Sequence, residues 1–215
     1  MKITEKLYND ASKIWEKIVN HPFVIEIYSG SLPEKKFKFY ALQDYNYLVG
    51  ITRAMTIIAS KSDFWKMKEI LILAQKEAGI ELQNYEKLLK SIGLSIEEAM
   101  ATEPSPTNLA YMNYIGMIAY TGDVYEGIAG ILPCFWSYQE IAKKNRYLLK
   151  KNKNSIYLKW AETYFTEEYK QIVEKMKNML NEAKNYDAVK KIFLTASKYE
   201  YMFWEMSYKM ERWQI

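Results

Sequence analysis

Apolar side chains return along this chain about every three to four residues, one face at a time, which is the period of an α-helix and not of a strand. The first stripe is Leu7, Ala11, Ile14, Trp15 and Ile18, with Thr4 placed to cap the helix that carries it. His21-Pro22 interrupts the pattern, and a short segment over 23–28 stops at Ser29-Gly30. Pro33 then suits the first turn of a long helix running to about Ser60, with Phe37, Tyr40, Ala41, Asp44, Tyr45, Leu48 and Ile51 at helical spacing. Ser62-Asp63 caps a run over 64–91 that Gly93 closes, and Ser95 with Glu98 has capping-box form. After the loop Thr102-Glu103-Pro104-Ser105-Pro106, the spacing predicts helices over 108–120, 123–150, 155–164, 167–181 and 187–213. Nothing alternates strongly, and no period of 20–50 residues marks a solenoid.

Composition sharpens that picture. Only 8 Gly and 5 Pro punctuate 215 residues, whereas a sandwich or barrel needs a turn about every 8–12 residues. The hydrophobic share of 49% and the charged share of 26% are those of a globular chain. The expectation is an all-α helical bundle in a single domain, 1–215, with one core.

Charge and rare residues remove whole classes of function. Thirty Lys and Arg against 26 Asp and Glu leave +4, and the densest basic spots, Lys143-Lys144 to Arg146 and Lys150-Lys151-Asn152-Lys153, fall where helices end. That is where the helix dipole favours cations, so no nucleic-acid partner is expected. A single cysteine, Cys134, allows no intramolecular disulfide and no cysteine metal cluster. A single histidine, His21, cannot furnish the paired imidazoles of helical zinc or di-iron sites; ahead of Pro22 at a helix break, it reads as structural. The start, MKITEKLYND, has no apolar signal core, and the apolar run over 127–136 is too short to span a bilayer. The expected setting is the cytoplasm, without a membrane partner.

Three positions could carry chemistry. Pro133 lies inside a helical run, where it removes a backbone donor and should kink the helix; Cys134 follows, with Tyr138 one turn on. A lone Cys is also an ordinary small core residue. Glu205 lies in a stretch nearly apolar all round, on one face with Tyr201 and Tyr208. A carboxyl facing aromatics holds its proton nearer neutrality, as a general acid must, though it can also snorkel to solvent or pair with a lysine. Asp44 precedes Tyr47 by three residues, so that an acid beside a ring could accept from the amino group of a stacked heterocycle. The 19 Tyr are the unusual component of the aromatics: buried phenols need hydrogen-bond partners, and a phenol-lined pocket suits a planar heterocycle.

Taken in order, four blocks resemble the TenA/thiaminase II family over nearly the whole chain: FYALQDYNYL at 39–48, LPCFWSYQEI at 132–141, YLKW at 157–160 and FWEMSY at 203–208. The resemblance implies a heme-oxygenase-like helical bundle without heme, a homotetramer, and hydrolysis at the methylene of an aminopyrimidine in thiamin salvage. The substrate would be thiamin or 4-amino-5-aminomethyl-2-methylpyrimidine, the product the hydroxymethyl pyrimidine, and no metal or organic cofactor is implied. By the same resemblance Cys134 is the nucleophile and Glu205 the acid that protonates the ring. Asp44 binds the amino group, Tyr47 stacks, and Tyr111, Tyr138 and Tyr157 line the site, with Tyr164 close to Tyr157 in sequence. Gln83, in Glu81-Leu82-Gln83, departs from the His many members carry there. Two other readings stand beside this one: a heme or metal oxidase of the same fold, for which His21 alone is a poor ligand set, and a non-catalytic binding or regulatory protein.

Overall fold

The computed structural model describes residues 1–78 and 82–214, apart from the side chains of Leu82 and Gln83, so the Glu81-Leu82-Gln83 departure lies outside what is described. Among the described residues the regular structure is all helix: α1 (Ile3–Val19), α2 (Pro22–Ser29), α3 (Glu34–Ser60), α4 (Phe64–Lys76), α5 (Leu82–Ser91), α6 (Ile96–Ala101), α7 (Pro106–Thr121), α8 (Val124–Asn145), α9 (Ser155–Glu162), α10 (Glu167–Leu180) and α11 (Tyr186–Lys209). The all-α expectation holds. Contacts gather the chain into two compact units, the first of Met1–Leu32 with Ile128–Glu205, the second of Pro33–Gly127 with Met206–Ile215.

Several ends differ from the sequence reading, each for a local reason. Thr4 is not the cap of α1. It lies inside the first turn and donates through its backbone N–H and Oγ1 to Asn181 Oδ1, both at 3.0 Å, while Lys2 takes the cap position and donates its N–H to Glu5. The run over 64–91 is not one α-helix: α-winding stops at Lys76, and Glu77 and Ala78 are wound in the wider π form. Pro106 opens α7 two residues early, its missing N–H being harmless in a first turn. α11 ends at Lys209, short of Trp213, because Met210 turns to φ 52°. Pro133 sits in the interior of α8, whose winding continues to Asn145.

In the first unit, the predicted stripe of α1 is the core face: Leu7, Ala11, Trp15 and Ile18 are buried. Trp15 meets Trp136 of α8 edge-on at 4.9 Å and donates its indole N–H to Ser197 Oγ of α11 at 2.9 Å. Each fully buried side chain of this size contributes about 1.5–3 kcal/mol, so this seam fixes α8 and α11 against α1. Gly30 takes the left-handed cap of α2 at φ 85°, and a Cβ there would strike the Asn152 side chain, whose amide holds the carbonyls of Ile27 and Tyr28.

The second unit is built on α3, which packs against α4, α6 and α7. A buried amide pair registers α3 on α7: Asn108 Nδ2 donates to the Gln43 carbonyl at 2.8 Å and to Gln43 Oε1 at 2.9 Å. Gln43 also donates to the Glu103 carbonyl and accepts from the Ser105 N–H. The Pro-rich loop is thereby pinned to the residue that precedes Asp44.

Candidate active site

Cys134 lies midway along α8, in the first unit. Its neighbours Leu132, Pro133, Phe135, Trp136, Ser137 and Tyr138 are buried, yet Cys134 itself is only half-buried. A thiol that is merely a small core filler would share its neighbours' burial; this one keeps an open side. Tyr138 lies at 4.9 Å from Tyr164 and 5.1 Å from Trp204, ring centre to ring centre, and Trp160 packs on both tyrosines. Tyr157 lies in α9. Its ring is buried, and its hydroxyl donates to the Leu32 carbonyl at 2.9 Å. Its hydrogen is committed to holding α9 near the end of α2, whereas the half-buried Tyr164 belongs to the ring cluster around Tyr138.

Two carboxyls of α11 compete for the acid role. Glu205 has a side chain 30% exposed, and its Oε1 lies 3.3 Å from His21 Nε2 and 3.1 Å from the Tyr201 hydroxyl. His21 Nδ1 accepts the Phe23 N–H at 3.2 Å and so caps α2. A ring whose Nδ1 accepts carries its proton on Nε2, so His21 donates to Glu205. Glu200, a turn earlier, is only 3% exposed and accepts at Oε2 from Ser137 Oγ at 3.2 Å. Ser137 stands one turn from Cys134 on the same helix, with its Oγ 3.5 Å from the Cys134 carbonyl. Glu200 is thereby linked through Ser137 to the helix of the thiol.

Sequence reasoning passed over Glu200, but a signal for it exists. Phe193, Ala196, Ser197, Glu200, Phe203, Trp204 and Ser207 are the buried stripe of α11, and Glu200 lies on it at helical period. Glu205 lies beside that stripe. His21, read as structural from its place before Pro22, is indeed a cap and also touches Glu205.

The second unit holds Asp44, Tyr47 and Tyr111 together. Asp44 is 6% exposed, in the middle of α3. Tyr40, one turn upstream, donates to Asp44 Oδ2 at 3.0 Å. Burial pushes the Asp44 carboxyl up to about 6, and the phenols of Tyr85 and Tyr40 pull against that rise by hydrogen bonding to the charged form. Tyr47 is buried and tilted at 5.0 Å against the fully buried ring of Tyr111 on α7. Tyr40 and Tyr85 are the residues sequence reasoning missed. The i, i+4 spacing of Tyr40 and Asp44 was the available sign for the first, and Tyr85 had none.

Comparison with known proteins now bears on this geometry. The model of the TENA/THI-4/PQQC family matches residues 8–210. An aminopyrimidine aminohydrolase of Halalkalibacterium halodurans is 36% identical over 220 residues, spanning 99% of this chain and 98% of that protein. A solved TenA homologue from P. horikoshii superposes with a TM-score of 0.95 at 45% identity, over 97% of this chain and 99% of the other. A Shewanella denitrificans domain described as having a heme oxygenase-like fold matches at TM-score 0.79 and 17% identity, over 96% and 92% of the two chains, and shows the fold alone.

Proposed function

The chain belongs to the TENA/THI-4/PQQC family, and from that premise we propose that it is an aminopyrimidine aminohydrolase acting in thiamin salvage by cysteine covalent catalysis. The observation that carries the catalytic part is the half-open thiol of Cys134 in a helix of buried neighbours, together with the partly exposed carboxyl of Glu205 on α11.

The chemistry follows from what these groups can do. Amine is a poor leaving group from a methylene on an aromatic ring. The Cys134 thiolate adds to a ring carbon while Glu205 delivers a proton to a ring nitrogen, so the ring loses its aromaticity. The side-chain amine, carried as its ammonium, leaves as ammonia when the electron pair freed on the ring moves out to form an exocyclic alkene. Water adds to that alkene through its oxygen and gives up one proton to solvent; the C–S bond then breaks as the ring nitrogen returns its proton to Glu205, restoring aromaticity and the thiolate. Asp44 accepts from the 4-amino group and Tyr47 stacks on the ring, with Tyr111 beside it. Tyr138 and Tyr157 line the site, with Tyr164 in the ring cluster around Tyr138. Glu205 is held in place by His21 and Tyr201, and the buried Glu200 braces α11 against the helix of the thiol through Ser137.

The enzyme works in the cytoplasm as a homotetramer, a reading supported by large apolar side chains left in solvent, among them Trp65 (72%) and Tyr120 (77%). No helix among the described residues is long and apolar enough to cross a membrane. Release of ammonia and hydroxymethyl pyrimidine from the aminomethyl pyrimidine tests the proposal, with thiamin compared side by side by kcat/KM. No turnover of either compound by wild-type protein would overturn it.

A further inference from the structure

We infer that Tyr40 is a positioning residue for the amino-group acceptor Asp44: its phenol takes one carboxylate oxygen, holds the group ionised, and leaves acceptor positions for the substrate. The inference rests on the proposed aminopyrimidine function and deepens it at a residue to which the family resemblance assigns no role.

Tyr40 is fully buried on α3, and its ring stacks on Phe37 at 6.0 Å with 25° between planes. The phenol donates along its own helix to Asp44 Oδ2 at 3.0 Å. An ionised carboxylate has about four acceptor positions on two oxygens, so the phenols of Tyr40 and Tyr85 together still leave acceptor positions for an amino group. The groups set against Asp44 are neutral phenols, Tyr40 from α3 and Tyr85 from α5. Tyr111 faces Tyr47 from α7, and Glu77, at the end of α4, is a buried carboxyl of the same unit. Hydrogen bonds from the phenols oppose the effect of burial on Asp44 by favouring its charged form. With burial driving the carboxyl up to about 6, loss of one phenolic donor moves the group into the range where it is protonated near neutrality. A protonated Asp44 offers an O–H where the substrate offers an N–H, and binding fails.

Tyr40→Phe keeps the ring and its stacking and removes only the hydroxyl. Hydrogen bonds to charged groups are strong enough that the Asp44 titration should rise by about one to two pH units, read directly by 13C carboxyl NMR on ligand-free protein. The acid limb of kcat/KM for the aminomethyl pyrimidine should rise with it, through KM and not kcat, and Tyr40→Phe should add nothing further in an Asp44→Asn background. In wild type, KM should climb as pH falls through about 6, a measurement that serves even if Tyr40→Phe does not fold. An unmoved Asp44 titration in Tyr40→Phe, or a wild-type KM that is flat from about pH 5 to 8, overturns the inference. A shifted titration with no turnover in wild type overturns the proposed function and takes the substrate half of the inference with it, which the ligand-free measurement keeps separate.

Discussion

Asp44 and Cys134 both sit midway along long helices, in different compact units, and their surroundings differ in kind. Asp44 is sealed, only 6% exposed, and its carboxyl meets phenols that hydrogen-bond it in place. Cys134 keeps an open side in a helix whose adjacent residues are buried. A group that recognises a ligand gains from being dry and fixed, since each hydrogen bond it makes then discriminates strongly. A nucleophile must be approached, and closing it off would protect it from its substrate as well as from water. On this account the Asp44 cluster binds and the Cys134 cluster reacts.

The sharpest way to break that division is at the carboxyl assigned to the reacting cluster. Glu205→Gln keeps its shape and can still accept from Tyr201 and His21, but has no proton to transfer. A positioned acid is worth about 10²–10⁴ in rate, so kcat should fall by that much with KM little changed. Steady-state kinetics with the aminomethyl pyrimidine checks this. A matching fall in Glu200→Gln, with Glu205→Gln within about threefold of wild type, would move the acid role to the buried carboxyl of Glu200.

In the binding cluster, Asp44→Asn should raise KM roughly ten- to hundredfold, the cost of a lost charge-assisted hydrogen bond, while leaving kcat at saturation largely intact. The same substitution should stabilise the fold. Asp44 titrates at about 6 in the native state against 3.8 for the unreacted side chain, so between those values the native state holds the extra proton. Stability is therefore lost as pH rises through that window, and above it the ionised group costs on the order of 3 kcal/mol. Denaturant unfolding should show Asp44→Asn more stable than wild type at pH 7.5, with the advantage gone by about pH 4. Equal stabilities at both pH values would mean that the carboxyl is not strained by burial.

Sequence reading succeeded where periodicity and folding ask for the same thing. The stripe of α1 is buried as the spacing demands, and the Lys143-Lys144 and Lys150-Lys151 pairs fall in last helical turns. It could not separate like residues that lie within a turn or two of each other. Glu200 and Glu205 sit among the same aromatics, and only the stripe through Phe193, Ser197 and Trp204 separates the buried one from the half-exposed one. Tyr157 lies in α9 and Tyr164 just beyond its end, and the bond from the Tyr157 hydroxyl to the carbonyl of Leu32 joins residues far apart in sequence. Thr4 was a good cap by type, yet Asn181, just past the end of α10, claimed its hydroxyl. Tertiary hydrogen bonds of this kind have no signature in local spacing.

The division between binding and reaction is tested most directly by Cys134→Ala. Titration calorimetry with the hydroxymethyl pyrimidine product would compare it with wild type, alongside single-turnover measurements on the aminomethyl pyrimidine. The account predicts product affinity within about threefold of wild type, no detectable turnover, and a stability loss of only about 1 kcal/mol. Product binding lost to the degree seen in Asp44→Asn, or turnover retained without the thiol, would contradict it.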